Sequence, residues 1–159
     1  MKQLELRVET PEKMQDIGYL IGKLSLANMV ITMNGELGAG KTTLTKGIGK
    51  ALNIHKTINS PTFTIMKIYE GDLTLYHLDV YRVENVNDDF ELEEYFYLGG
   101  LTVIEWADRI KSLIPDYAIN LDFSILNNGE RLLKINGYDE FIDKLEEMLY
   151  EKTISWYIE

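Results

Sequence analysis

The segment at residues 35–42, GELGAGKT, constrains the fold of this chain more than any other stretch. It matches the phosphate-loop pattern G-x-x-x-x-G-K-[ST] at every fixed position. A short apolar run at residues 29–33 precedes it, and the segment that follows carries Leu44, Ile48 and Leu52 on one helical face. A buried strand, a glycine-rich loop and a helix are the context in which this pattern binds phosphate. The sequence therefore predicts an α/β fold built around a strand–loop–helix unit.

The residue types of this loop indicate how it would hold a nucleotide. Its glycines permit backbone conformations closed to other residues and a close approach to a ligand. Successive N–H groups can then surround a phosphate at the positive end of the following helix. Lys41 is expected to bridge the β- and γ-phosphates, and the Thr42 hydroxyl is expected to ligate Mg²⁺. The nucleotide-binding residues predicted here are Gly35, Glu36, Leu37, Gly38, Ala39, Gly40, Lys41, Thr42 and Thr43.

Length and composition limit the class of protein. The chain has 159 residues, of which 45% are hydrophobic, so we predict a single domain over residues 1–159 with a substantial core. It contains no cysteine, which excludes disulfides and thiolate–metal sites. Its first residues do not resemble a signal peptide, and no apolar run approaches the ~20 residues of a membrane span. We therefore expect a cytoplasmic protein.

The formal net charge of −10 bears on the class of partner. A negatively charged protein repels the phosphate backbone, and electrostatic attraction supplies most non-specific affinity for nucleic acid. The sequence contains no basic stripe. If the protein serves a nucleic-acid pathway, we expect another protein to hold most of the nucleic acid.

The other segments alternate between strand and helix patterns. Residues 2–9 alternate as a strand, and Thr10-Pro11 is a helix start followed by an apolar stripe from Met14 to Leu24. Further along, we predict strands at 64–69, 73–78, 101–104, 119–125 and 132–135. We predict an acidic loop and a short helix between 84 and 100, and helices at 107–113 and 139–151. Residues 153–159 match no pattern. This order predicts a P-loop NTPase-like three-layer sandwich, on a mixed sheet with a parallel core and antiparallel hairpins.

A phosphate loop alone does not hydrolyse a nucleotide, so further site residues are expected. Magnesium usually needs a carboxylate on a second strand, and another group must orient the attacking water. Asp79 and Glu105 each follow an apolar run, and open α/β sheets bind ligands at the carboxyl ends of their strands. Either residue could instead be a solvated strand end. Beside a phosphate loop, we assign both to a metal and catalytic site with Thr42 and Lys41.

The segment around Pro61 supplies two hydroxyl groups. Ser60 and Thr62 stand where a γ-phosphate sensor would lie, on a loop that the proline stiffens. The alternative is an ordinary turn that leads into a strand.

Three other charged or titratable residues lie near these segments. His77 alternates with Asp79 and should face the same side of its strand, although a lone strand histidine is more typical of a structural role. Arg82 and Arg109 could stabilise charge at the site, or each could form a surface salt bridge.

Together, these segments resemble the TsaE family, formerly called YjeE. The phosphate loop is followed by SPTF at residues 60–63, HLDVYR at 77–82 and IEWA at 104–107, in the order and spacing of that family. The resemblance covers nearly the whole chain, and the length agrees. It implies a small bacterial ATPase needed to make threonylcarbamoyladenosine beside the tRNA anticodon.

The resemblance also implies roles for individual residues and partners. Lys41 and Thr42 would bind phosphate and magnesium, Asp79 and Glu105 would complete the metal and hydrolytic site, and Trp106 would lie near the nucleotide. Residues 60–62 would form a switch-like loop. The implied ligands are ATP and Mg²⁺, and the implied partners are TsaD and TsaB. The protein would reach tRNA only through that complex, which hydrolysis would reset.

Three other functions compete with this interpretation. A small-molecule P-loop kinase typically clamps the acceptor and the transferred phosphates with several arginines. This whole chain has only four arginines, at positions 7, 82, 109 and 131, and no evident lid. A regulatory GTPase would carry an Asn-Lys-x-Asp motif that reads guanine, and none occurs, so we expect a preference for adenine. A nucleotide-dependent adaptor would assemble with partners without catalytic turnover.

Overall fold

The computed structural model describes residues 1–61, 65–82 and 86–158, without the side chains of 86–91 and 153–158. In chain order its elements are β1 (Lys2–Val8), α1 (Pro11–Leu24), β2 (Val30–Asn34), α2 (Lys41–Ala51), β3 (Met66–Tyr69), β4 (Leu75–Asp79), η1 (Val86–Tyr97), β5 (Leu101–Glu105), η2 (Ala107–Leu113), β6 (Ile119–Ile125), β7 (Arg131–Gly137) and α3 (Asp139–Ile158), where η denotes a 3-10 helix. No helix within these described residues is long and apolar enough to cross a membrane.

The strands form one mixed sheet in the order β1-β7-β6-β2-β5-β4-β3. Its centre is parallel, because β2 pairs in parallel with β5 and β6, and β5 pairs in parallel with β4. The pairs β1–β7, β6–β7 and β3–β4 are antiparallel. Every residue of β4 and β5 is buried, as expected for strands covered on both faces. The predicted mixed sheet with a parallel core is confirmed.

Two apolar cores lie on opposite faces of this sheet. Ile31 and Met33 belong to the core that α1, α2 and α3 cover, whereas Val30 belongs to the core under η1 and η2. Alternate residues of one strand therefore serve different layers, as the period of two along a strand requires. The predicted three-layer arrangement is confirmed.

Helices α1 and α2 pack closely against each other, and α1 orients the phosphate-loop helix. A Cβ atom on Gly18 would lie 2.0 Å from the backbone oxygen of Leu44, and one on Gly47 would lie 2.0 Å from that of Gln15. Only glycine permits this approach at both positions. The start of α1 is as predicted, because the Thr10 side chain accepts a hydrogen bond of 3.2 Å from the Lys13 N–H.

Several element boundaries differ from the sequence prediction. Strand β4 begins at Leu75 rather than at residue 73, because a bend occupies residues 71–73. From Val86 to Tyr97 the acidic segment forms the 3-10 helix η1, whereas a loop and a short helix were predicted there. The predicted strand at 119–125 has the bounds of β6, and its last residue, Ile125, is 43% exposed.

Helix α3 also extends beyond the predicted end at residue 151, as far as Ile158. No glycine or proline follows residue 139, so nothing in the chain terminates the helix earlier. Residues 153–158, in the segment that matched no pattern, are therefore helical.

Candidate active site at the phosphate loop

The phosphate loop joins β2 to α2 at the carboxyl end of the parallel strands. Gly40 lies at the N-cap of α2 with a φ of 110°, and it has no side chain to occupy the first N–H groups of the helix. These groups are therefore left for a ligand at the positive end of the helix. Gly38 has a φ of 82°, and a Cβ atom there would meet nothing within 4 Å, so the loop is open at this position.

The predicted site residues meet in one pocket of about 170 Å³ in front of this loop. It is lined by Leu37, Gly38, Gly40, Lys41, Thr42, Thr43, Ser60, Asp79, Glu105 and Trp106. Gly35, Glu36 and Ala39 belong to the loop but do not line the pocket. Thr62, predicted as a second hydroxyl beside Ser60, lies outside the described residues.

The two predicted carboxylates are neighbours in the sheet. Asp79 and Glu105 are directly paired at the ends of the parallel strands β4 and β5. They are only 4% and 3% exposed, so the alternative of solvated strand ends is wrong. Asp79 Oδ1 accepts a hydrogen bond of 2.9 Å from the Tyr81 N–H. Both residues line the same pocket as Lys41 and Thr42.

Lys41 supplies a positive charge to this arrangement. Its side chain is 5% exposed, and its Nζ donates a 2.7 Å hydrogen bond to the backbone oxygen of Gly35. The same Nζ lies 3.8 Å from Glu105 Oε1. Burial lowers the pKa of Lys41, and the charges of Glu105 and Asp79 oppose that shift. A phosphate group would stabilise the ammonium form further.

Trp106 packs against this lysine. Lys41 Nζ is 4.1 Å from the centre of the indole ring, and the ring packs against Tyr81 with centroids 4.9 Å apart. The guanidinium of Arg109 lies 5.1 Å from the Tyr81 ring centre. Trp106 has a φ of 62°, a left-handed conformation that costs a non-glycine residue about 1 kcal/mol or more. Such strain is common at functional sites, but the sequence gives no sign of it.

His77 contacts Glu105, although the sequence favoured a merely structural role for it. The imidazole is 0% exposed, and its Nε2 lies 2.8 Å from Glu105 Oε2. Among the described residues, its Nδ1 has no hydrogen-bond partner. The sequence signal was present, because alternation places His77 and Asp79 on the same side of β4.

A second cavity of about 310 Å³ adjoins the phosphate loop on the side away from the carboxylates. It is lined by Val8, Glu9, Thr10, Pro11, Met14, Gly38, Gly40, Thr43, Gly129 and Arg131. Arg131 connects it to the loop, because its Nη2 donates a 3.2 Å hydrogen bond to the backbone oxygen of Gly38. This cavity was not predicted, because it combines segments that are far apart in the sequence.

The oxygen donors of the site are suited to a hard cation. Among residues 1–61, 65–82 and 86–158, no cluster of three or more His, Asp or Glu side chains is arranged to bind a metal ion. A metal here would therefore need other ligands as well. The Thr42 hydroxyl and the carboxylates of Asp79 and Glu105 line the same pocket. Magnesium usually takes one or two carboxylates together with water and phosphate oxygens. These three residues therefore fit Mg²⁺ that is bound with a nucleotide.

The chain is similar in sequence to proteins that share one name. Residues 8–133 match the family model described as "Threonylcarbamoyl adenosine biosynthesis protein TsaE". The chain is 42% identical over 150 residues to tRNA threonylcarbamoyladenosine biosynthesis protein TsaE of Bacillus subtilis (strain 168), covering 91% of this chain and 95% of that protein. It is 39% identical over 120 residues to the protein of the same name from Treponema pallidum (strain Nichols), covering 74% of this chain and 89% of that one.

The fold is also similar to that of a solved structure. The crystal structure of Bacillus subtilis YdiB superposes with a TM-score of 0.80 and 33% sequence identity, over 92% of this chain and 96% of that one. Because the family match covers β2, α2, β4 and β5, it includes all the elements that form the pocket.

Proposed function

Because this chain belongs to the TsaE family, we propose that it is an ATPase that supports the biosynthesis of threonylcarbamoyladenosine in tRNA. The observation that carries the proposal is the meeting of Lys41, Thr42, Asp79 and Glu105 in one pocket at a phosphate loop. Each of these residue types has a defined use in phosphoryl transfer to water.

The phosphate loop would bind the phosphates of ATP. The N–H groups at the start of α2 and the Lys41 ammonium provide donors, and Lys41 would exchange its bond to the Gly35 oxygen for phosphate oxygens. The neighbouring cavity, bounded by Val8, Met14 and Arg131, would take the nucleoside. Because the chain has no Asn-Lys-x-Asp motif, we propose that adenine is preferred to guanine.

The carboxylates would act on the attacking water. In hydrolysis, a bond forms between the water oxygen and the γ-phosphorus, and the bond from that phosphorus to the β,γ-bridging oxygen breaks. Thr42, Asp79 and Glu105 would hold Mg²⁺, which when bound neutralises charge on the phosphates. A carboxylate oxygen facing the pocket would orient the water and accept its proton, and Lys41 would stabilise the negative charge that develops on the departing ADP.

The pocket composition favours hydrolysis over transfer to a small molecule. Kinases of that class clamp the acceptor and the transferred phosphate with arginines. In the described part of the chain, no arginine lines the pocket that contains Asp79 and Glu105. Arg7 instead pairs with Glu130 at 3.4 Å, and Arg109 lies over Tyr81.

We further propose that the protein acts with TsaD and TsaB and reaches tRNA only through them. The name of the relatives implies membership of a tRNA-modification system, and the chain's charge of −10 disfavours direct binding of tRNA. Hydrolysis would then reset the complex.

The test is phosphate release from ATP and Mg²⁺ by the purified chain, alone and with TsaD and TsaB, with GTP as competitor. We expect release that depends on Mg²⁺, rises with the partners and is inhibited weakly by GTP. Binding of ATP without turnover in either mixture would instead indicate an adaptor. No binding of ATP in a calorimetric titration would refute the proposal.

A further inference from the structure

His77 lies in a part of the sheet where an apolar residue would be expected. Its neighbours on the same face, Leu75 on β4 and Leu101 and Val103 on β5, belong to the apolar core under the helices. His77 is fully buried among them, and its Nδ1 has no hydrogen-bond partner in the described residues. Burying a polar atom without a partner costs about 1–3 kcal/mol. Packing alone therefore does not explain a histidine here.

The contact that His77 does make is with a proposed site residue. The strand register pairs His77 with Val103 and Asp79 with Glu105, so the imidazole lies diagonally beside the Glu105 side chain on the same face. Its Nε2 is 2.8 Å from Glu105 Oε2, whereas Glu105 Oε1 lies 3.8 Å from Lys41 Nζ. The two oxygens of one carboxylate therefore have different neighbours.

The proton on the imidazole can be assigned from these contacts. A carboxylate beside Lys41 is an acceptor only, so His77 Nε2 must donate. A proton on Nδ1 would be a buried donor with no acceptor, so the neutral ring with its proton on Nε2 is the favoured tautomer. In this state His77 adds a directed hydrogen bond without adding charge.

We propose that His77 is a positioning residue for Glu105. Its Nε2–H holds Oε2 and thereby directs Oε1 toward Lys41 and the phosphate-loop pocket. Without this bond, the Glu105 side chain can rotate, and the oxygen facing the pocket is no longer fixed. This inference rests on the proposed function, because the consequence of a fixed Oε1 is an oriented water or metal ligand. Partners that orient a ligand in this way typically contribute about 10–100-fold.

A pair of similar substitutions separates positioning from packing. In His77→Gln, the side-chain amide nitrogen can reach the place of Nε2, whereas in His77→Asn it falls short by one carbon. His77→Leu removes the donor and keeps the volume. His55→Gln is the matched control, because His55 is the other histidine of the chain and is exposed.

Turnover with TsaD and TsaB and binding of ADP are measured for each variant, with thermal midpoints as a check on folding. We expect the Asn and Leu variants to lose about tenfold in kcat. Their ADP affinity should stay within about twofold, and the Gln variant should recover most of the rate. Parental turnover in the Asn and Leu variants would overturn the proposal, as would equal losses in the Gln and Asn variants.

A readout independent of turnover separates this inference from the ATPase proposal. The ¹⁵N spectrum of the His77 ring should show the Nε2-protonated tautomer, with a slowly exchanging proton whose signal changes in Glu105→Ala. Protonation on Nδ1 would refute the positioning role even in an active protein. If the parental protein hydrolyses no ATP but shows this tautomer, the proposed function fails while the bond from His77 to Glu105 stands.

Discussion

The two sides of the phosphate loop are constructed in different ways. On one side, Asp79 and Glu105 end two directly paired strands, and Lys41 lies within 3.8 Å of Glu105. On the other side, a larger cavity lies among Met14, Gly129, Arg131 and the loop itself. The first side is polar and buried and is fixed by strand register. The second side is assembled from loops and the start of α1.

This difference indicates which side of the loop acts on the reacting atoms and which side contributes to ligand affinity. Groups that act on a reacting atom must be held to within a fraction of an ångström, and paired strand ends provide that precision. A cavity that holds the non-reacting part of a ligand can tolerate small displacements. We therefore expect substitutions on the carboxylate side to change turnover, and substitutions on the other side to change affinity.

The largest effect is expected at the carboxylates. Glu105→Gln and Asp79→Asn keep the side-chain volume, which matters because both residues are buried. Each variant should lose about 100-fold or more in turnover, because general-base and charge interactions at the reacting centre contribute on this scale. The free energy of unfolding should fall by about 0.5–3 kcal/mol, the usual range for a single substitution, because the side-chain volume is kept. Phosphate release with partners and thermal unfolding are the measurements, and parental turnover in both variants would place the metal site elsewhere.

The second prediction concerns Lys41, which contacts both the loop and a carboxylate. Lys41→Ala removes a charged donor, and hydrogen bonds to charged groups contribute about 1.5–3 kcal/mol. We therefore expect ATP affinity to fall about 10–100-fold, and turnover to fall with it. Lys46→Ala on the exposed face of the same helix should behave as the parental protein. Calorimetric titration of ATP with Mg²⁺ decides this, and unchanged binding with unchanged hydrolysis would refute the phosphate-loop assignment.

The carboxylate side is also the side that the sequence predicted better. Asp79, Glu105 and Lys41 are each recognised from local patterns, namely the ends of apolar runs and a phosphate loop. The bond from His77 to Glu105 depends on the register between β4 and β5, which no local pattern contains. The sheet class could be predicted from the order of strands and helices. The end of α3 could not be predicted, because the chain carries no glycine or proline there to end the helix.

The opposite side of the loop was missed for a related reason. The hydrogen bond from Arg131 to the Gly38 oxygen joins residues 93 positions apart. Its existence follows from the pairing of β7 with β1 and β6, and only three-dimensional structure shows it. The left-handed backbone of Trp106 is a third example, because strain at a bulky residue is set by the surrounding packing.

The third prediction tests the affinity side through Arg131. Arg131→Ala removes the donor to the Gly38 oxygen and part of the cavity wall. A single hydrogen bond contributes about 0.5–1.5 kcal/mol, so ATP affinity should weaken about 2- to 12-fold with kcat nearly unchanged. Arg7→Ala is the matched control, because Arg7 pairs with Glu130 and does not line the cavity. A loss in kcat as large as that of the carboxylate variants would contradict the division between the two sides.

The smallest effect is expected in the acidic segment from residue 84 to 94. If the acidic segment from residue 84 to 94 contacts a basic partner, charge reversal at Glu91, Glu93 and Glu94 should slow association with TsaD and TsaB several-fold at low salt. The difference should shrink as salt screens these charges. Turnover in a saturated complex should not change, since neither Glu93 nor Glu94 is among the described residues that line the pocket of Asp79 and Glu105. Stopped-flow association at two salt concentrations measures the association rate and its dependence on salt.

Surface charge also bears on whether the chain binds tRNA directly. Among the residues that line a cavity beside the C-terminal half of α2 are three lysines, Lys46, Lys50 and Lys56. Three lysines give a weak attraction against a net charge of −10, because each neutralised phosphate contributes to affinity separately. We therefore expect no micromolar binding of tRNA by the isolated chain at physiological salt. If a filter-binding titration detects such binding and reversal of these three charges removes it, the claim that tRNA is reached only through partners is wrong.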